Sequence, residues 1–503
     1  MNPRYPRFAL LASALLVTSL KLSAQEVSFN WDGSGNSDTG GDWMTGSNWS
    51  TDAVPANTST SVAGLVNVTS GTRTITIKNG ETATAKRLLF TQTTAGAFNI
   101  LSVESGGTLQ LGGGQTWAAP TAGTSRVDLA GTIDFTGFVS GVVVNTDLTF
   151  TNAGAVFRAS NTNTDAPFTF GGNVNVNAGA GVAQIAFTGT NSGRTLTATF
   201  GGALNVNTGV LDFNTTVTTR NAVAVNVIIQ GATTLAAGTE LRLTTPTSGT
   251  GSAGVALSNS GTLSQAGKII MSGRGNNVGA TNTLTNSGAW KVNGLSVEIE
   301  KATNNGALNP TFVNSSTGVF SGATAADKID YNHLQTPGTD LTFNNSGVIA
   351  AGNGSNGSGL TSVGTLTLVD FAVTNAVTTS SLVFDIGGTS AGQFDVLAFQ
   401  SGSLVLTNAT LAINLVNGFT PGSSFSVDIL TSVSSSITGS FVGLTVNGSA
   451  NADYSFTYND TTGIGTLTYT AASIPEPSTY AIVAGLVTLG LAIRRRRAGN
   501  VSA

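Results

Sequence analysis

The run NSGTL at residues 259–263 returns as NSGAW at 286–290 and as NSGVI at 345–349. Looser copies of the same order (polar, small, Gly, then strand) centre on Gly80, Gly107, Gly131, Gly154, Gly179, Gly209, Gly238, Gly261, Gly288, Gly318 and Gly347, at intervals of 23 to 30 residues. A unit of that length marks a solenoid, a propeller or an array. Between the turns, RTITIKNG, GTLQLGGG, GTIDFTG, NVNVNAG, TELRLTT and LTLVDFAV alternate or cluster apolar residues at the period of a strand. Asn, Ser and Gly around them tolerate left-handed turns. The pattern predicts an all-β fold, most directly a parallel β-helix. Each coil would carry two or three short strands joined by turns with Gly or Asn at positive φ. Val, Ile, Leu and Phe would fill the interior, and Thr, Ser and Asn would ladder outside. At about 4.8 Å per coil, ten intervals predict a rod segment of roughly 50 Å. An array of β-sandwiches would show similar strands and turns; a propeller would need longer, more regular blades.

Composition removes other classes. Of 503 residues only 9% are charged, none is Cys and 64 are Gly. Coiled coils and helical bundles need Glu, Lys, Arg and Leu at helical period, which are scarce here. With 40% hydrophobic residues the chain is no disordered polyelectrolyte. Disulfide scaffolds and Cys-ligated metals are impossible. Nucleic-acid binding is not expected at a pI near 5.0 with no basic stripe before the C-terminus. Residues 25–474 hold 14 basic and 24 acidic residues, and no Lys or Arg stands between Lys328 and Arg494.

Both ends read as addresses. Arg4 and Arg7 precede a 13-residue apolar run, Phe8 to Leu20, and then KLSAQ. The run is too short to span a bilayer, and the small residues after it predict signal cleavage between Ala24 and Gln25; a retained anchor is the alternative. At the other end stand Pro475, Glu476 and Pro477, then the mostly apolar Tyr480–Ile493, then Arg494, Arg495, Arg496 and Arg497. The prolines hold Glu476 extended. The 14 apolar residues predict a short transmembrane helix, and the arginines favour the cytoplasmic side.

This tripartite end resembles the PEP-CTERM sorting signal of Gram-negative bacteria, over about the last 30 residues. The resemblance implies an exosortase, a multi-spanning Cys-dependent transpeptidase, as the partner that reads and cuts near Pro477. It also implies a transient stay in the inner membrane and delivery to the cell surface or exopolysaccharide matrix. NWDGSGNSDTGGDWMTGSNWSTDAVP, which carries Trp31, Trp43 and Trp49, resembles the opening of autotransporter-associated β-strand repeat proteins, and FDIGGTSAGQFDVLAF resembles their late section. That likeness implies a parallel β-helix passenger. The tail leaves no room for an outer-membrane barrel, a departure that favours the sorting signal as the export route. The expected organisation is a signal peptide (1–24), a Trp-bearing cap (25–75), a β-helix body (76–370), a C-terminal β region (371–472) and the sorting signal (473–503).

Candidate chemistry in the body is sparse. His333, the sole histidine, lies in DKIDYNHLQ with Asp327 and Asp330: either an acid/base or cation cluster or a solvated loop. Glu298 and Glu300 share a strand face, which suits paired-carboxylate glycoside hydrolysis or, equally, ion pairing with Lys291 or Lys301. Asp385 and Asp395 read as turn residues. Trp31, Trp43 and Trp49 suit sugar stacking or an apolar end cap; Trp117 and Trp290 read as packing or surface residues. Calcium nonapeptides, P-loops, nucleophile elbows and dinucleotide fingerprints are absent. No catalytic residue, metal or cofactor is expected. The reading is a non-catalytic structural or adhesive surface protein that contacts matrix polysaccharide. The alternatives are a β-helix polysaccharide-degrading enzyme and a carbohydrate-binding module.

Overall fold

The computed structural model describes residues 26–471 and 477–499, apart from 37, 57–60, 67, 93, 113–115, 118–124, 137–140, 163–164, 190–193, 218–222, 246–253, 273–280, 302–308, 334–339, 353–362 and 434–435. The signal segment with Ala24 and Gln25, and Pro475 and Glu476, lie outside the described residues.

The alternating segments form strands that pair in parallel with the equivalent strand of the next coil, giving a β-solenoid with three faces. The first face runs from Gly41–Asp42 and Thr72–Ile77 to Gly443–Val446, and the second from Thr82–Ala85 to Phe425–Thr431. The third opens with Val27–Asn30, Ser61–Leu65 and Arg87–Phe90. It continues as a twelve-stranded sheet from Thr116–Trp117 to Ile437–Thr438. Val174–Gly189 and Leu204–Val217 run unbroken from the first face into the second, so those two faces form one 29-stranded sheet. Parallel pairing passes across residue 371 without a break, Leu341↔Phe371↔Gly402, so the solenoid extends beyond the expected limit at 370.

Alternation sends every second side chain inward. Stacked coils then place like on like: Leu101, Val127 and Leu148 lie in one file, and Leu263, Trp290, Phe320 and Ile349 in the same file further along. On the third face Phe170 stacks on Phe200 with centroids 5.0 Å apart. Phe312 and Phe343 sit 4.5 Å apart. Each inward side chain loses its water to its own homologue above and below, which is how few charges suffice.

The recurring glycines do two different jobs, and this corrects the single turn role expected of them. Gly80, Gly154, Gly179, Gly209 and Gly238 take positive φ at the corner from first to second face. Gly261, Gly288, Gly318 and Gly347 lie at the opposite corner, from third to first face, and are not left-handed. There the backbones crowd: a Cβ on Gly231, Gly261 or Gly288 would stand 2.1–2.2 Å from the carbonyl oxygen of the glycine one coil below. The 23-residue step from Gly238 to Gly261 is therefore a change of corner within the repeat.

The NSG asparagines also depart from expectation. They ladder inside. Asn259, Asn286, Asn314, Asn345 and Asn375 are all buried, and each amide donates to the next Oδ1 at 2.8–2.9 Å. The sequence separations are 27, 28, 31 and 30 residues, the true coil lengths of this region. Asn259, Asn286 and Asn314 also donate to the backbone carbonyls of Ala289, Val319 and Val348. An exterior asparagine ladder exists as well, Asn175 with Asn205 and Asn177 with Asn207.

Both ends are closed. Trp31, Trp43 and Trp49 are fully buried and meet edge to face at 5.2 and 4.8 Å. Trp31 Nε1 donates to Thr39 O and Trp49 Nε1 to Trp43 O. At the far end, Tyr454–Asn459 and Ile464–Tyr469 form a hairpin that pairs antiparallel with Phe425–Thr431, breaking the parallel template. One helix follows, Pro477–Gly499.

Replacing Asn314 by Ala removes its bonds to Asn345, Gly318 and Val348 and takes away the Oδ1 that Asn286 uses. It is expected to lower stability by about 2–4 kcal/mol, the range for broken buried networks. Thr311→Ala, on the outward side of the same strand, should stay within about 0.5 kcal/mol. Urea unfolding midpoints of the two variants check this, and equal midpoints would refute the ladder's role.

Candidate functional sites

Pro477 opens the C-terminal helix, where its missing N–H costs nothing. Ile482, Val483, Leu486, Val487, Leu489, Leu491 and Ile493 are each more than half exposed, whereas among the described body residues Leu295 and Val442 are large hydrophobics exposed to that degree, far apart in sequence. Arg494, Arg495 and Arg496 follow, exposed; Arg497 belongs to the same helix. Among the described residues no helix is long and apolar enough to cross a membrane. The apolar stretch covers about 21 Å at 1.5 Å per residue, against a hydrocarbon core of about 30 Å.

Glu298 and Glu300 do share the outward side of Val297–Lys301, as their spacing implies. Their partner is neither Lys291 nor Lys301. It is Lys268, one coil below, whose Nζ lies 2.7 Å from Glu298 and 3.6 Å from Glu300. Lys291 stands on the first face, and Lys301 Nζ bonds Asn309 Oδ1. Parallel register sets this pairing by placing Lys268 directly opposite Glu298.

The DKIDYNH segment is a strand, Ala326–His333, not a loop. Asp327 is buried at a corner, and its carboxylate accepts from the N–H groups of Gly294, Ala323 and Thr324 and from Thr324 Oγ1. Three residues on, Asp330 faces outward beside Lys328, and burial pushes its carboxyl above the usual range. His333 pairs in register with Lys301; its side chain lies outside the described residues. The segment thus divides its acids between two sides of one strand. Among the described residues no group of three or more His, Asp or Glu is placed to hold a metal ion.

Asp385 lies in the strand Ser380–Ile386 rather than in a turn, and it brackets the turn after that strand together with Asp395, from inside the fold. Asp395 is 1% exposed; its oxygens accept from Gly364 N at 2.7 Å and Asp385 N at 2.8 Å. Asn414 donates to Asp385. Burial pushes Asp395 up to about 7 against the pull of those N–H donors, and the neighbouring Asp385 carboxylate adds to the rise.

The indoles of Trp31, Trp43 and Trp49 are covered by one another and by the first coil, so their faces are closed to a sugar ring in this structure. Trp117 packs among Phe90, Phe135 and Phe157. Trp290 packs on Phe312 and donates from Nε1 to Gln265 Oε1. Sequence reasoning missed the burial of the asparagines, for which the recurrence of Asn two residues before Gly was the available signal. It singled out Asp327 but as part of a cluster or a solvated loop, not as the buried acceptor of a corner. No family model and no curated protein matches this chain.

A folded-state pKa near 7 for Asp395, against about 4 unfolded, gives the sign of the pH effect. Between those values the folded chain holds a proton that the unfolded chain releases. The group's contribution is fully present below pH 4 and is lost as pH rises through 7. Asp395→Asn should be less stable overall, because one N–H loses its acceptor, yet flatter across that window. Urea midpoints at closely spaced pH values check it, and parallel curves for the two proteins would contradict it.

Proposed function

We propose that the chain is an exported, non-catalytic structural or adhesive protein of the cell surface or extracellular matrix, carrying a sorting tail that an exosortase processes. The observation that carries this reading is the order at the C-terminus. Pro475-Glu476-Pro477 leads into the helix Pro477–Gly499, whose apolar stretch is followed by Arg494–Arg497. In this account the amino-terminal segment directs entry into the Sec pathway. Tyr480–Ile493 then holds the chain in the inner membrane with the body outside and the arginines cytoplasmic. An apolar stretch about 21 Å long makes a weak anchor, which suits a transient one.

The body supports the same reading. Its cohesion lies in rung-to-rung hydrogen bonds and stacked apolar files, which need neither charge nor ligand. The carboxylate pair that would suit polysaccharide cleavage, Glu298 and Glu300, is tied to Lys268. Extracellular polysaccharide is the partner that a long, mildly acidic, repetitive rod would meet, through many weak contacts.

Cell fractionation tests the proposal. The intact protein should yield a body outside the inner membrane, lighter than the full chain and lacking its arginines. A form without Pro475–Pro477 should stay in the inner membrane at full mass. Unchanged location and mass would reject the sorting role.

A further inference from the structure

The solenoid segregates its charge. Strands of the first face carry Arg126 with Asp128 and, further on, Lys291. Those of the second carry Glu240 with Arg242, and Lys268 with Glu298 and Glu300. The third face differs. In its twelve-stranded sheet, from Thr116–Trp117 to Ile437–Thr438, the one charged residue is Arg194, at the start of Arg194–Phe200. The outward side chains there are short and stand in two files. Thr283, Thr311 and Thr342 follow one another in register in the first file, and Thr285, Val313 and Asn344 in the second. All six are half-buried or exposed. Threonine and valine, branched at Cβ, are stiff, so fixing them in a contact costs little entropy.

We propose that two copies of the chain pack side by side through this sheet, third face on third face. Depletion of charge is what distinguishes the core of an interface from the rest of a protein surface. Size agrees. Twelve rungs at about 4.8 Å, with strands of about five residues, give a face of roughly 55 by 17 Å, on the order of 900 Å2, against about 800 Å2 per partner in a stable complex. A second copy is the occupant that the face itself selects. Two-fold pairing lays uncharged files on uncharged files and turns the charged faces of both copies to solvent. A strongly charged partner, acidic or basic, would find no counter-charge on it. Sheets packed face to face stand about 10 Å apart, which lets short side chains from both interdigitate and their hydroxyls pair. Association of this kind does not depend on the sorting tail, and fractionation does not report on the sheet, so each can fail alone.

Sedimentation velocity of the full chain in density-matched detergent, over a range of protein concentrations, tests this. The intact chain should dimerise reversibly. Thr283→Lys with Thr342→Lys plants like charges on the face and should weaken dimerisation about a hundredfold. Thr283→Glu with Thr342→Glu should do the same. An equimolar mixture of the two variants should restore the dimer, which misfolded chains could not do. Thr262→Lys with Ser264→Lys, on the first face, should leave dimerisation unchanged, as association through the C-terminal helix alone would for every variant. Four results would each overturn the proposal: a monomer at about 100 μM, a dimer that both sheet variants leave intact, first-face lysines as disruptive as those on the sheet, or a mixture that stays monomeric. Retention of a monomer on cellulose, lost with the sheet lysines, would give the face to a polysaccharide and overturn it too.

Discussion

A parallel rung must hand its backbone to the next rung at about 4.8 Å along every face and around every corner. The corner from third to first face meets this spacing with glycine. Carbonyl oxygens of one coil there approach the α-carbons of the next so closely that a methyl group has no room, and glycine repeats at Gly231, Gly261 and Gly288. Just before that corner the coils from Asn259 onward turn an asparagine inward, and its amide links vertically to its counterpart, whereas the Gly231 coil carries Ile229 there. Short backbone contact and buried side-chain ladder are two halves of one device. The first sets the spacing, and the second satisfies polar groups that the spacing forces out of water.

Much of this was legible in the sequence, and the failures have a physical source. Strand character came through because inward residues such as Leu257, Leu284 and Phe312 alternate with outward Thr and Ser. The repeat came through because glycine marks corners. Which corner it marks did not, since glycine answers both a left-handed turn, as at Gly154, and a close approach, as at Gly288, and the letter is the same. Asparagine was placed outside because it is polar. Its burial becomes favourable only when copies stack in register, a condition no single coil reveals. The partner of Glu298 was sought nearby in sequence, whereas the parallel ladder brings Lys268 to it from the preceding coil. The cap formed by Trp31, Trp43 and Trp49 was readable because a solenoid end exposes apolar interior and needs bulky cover.

Under the proposed function, the molecule separates support from address. The body is cohesive through repetition, with its chemistry-bearing side chains mostly committed to holding corners, as Asp327, Asp385 and Asp395 are. In the proposed reading, the sorting instructions lie in three short C-terminal segments, separate in sequence from the solenoid. The antiparallel hairpin, where the parallel repeat is broken, lies beside open clefts.

Absence of cysteine permits a direct measurement of the coil geometry. Thr283 and Thr311 face outward and stand opposite each other on adjacent rungs, while Thr342 lies one rung further on. Adjacent rungs place Cα atoms within the span of a disulfide, and a second rung carries them to about 10 Å, beyond it. Mild oxidation of the Thr283→Cys, Thr311→Cys pair should give a quantitative intramolecular bridge on mass analysis, and the Thr283→Cys, Thr342→Cys pair should stay reduced. Efficient bridging of the second pair with none in the first would contradict the one-coil register on which the whole account stands.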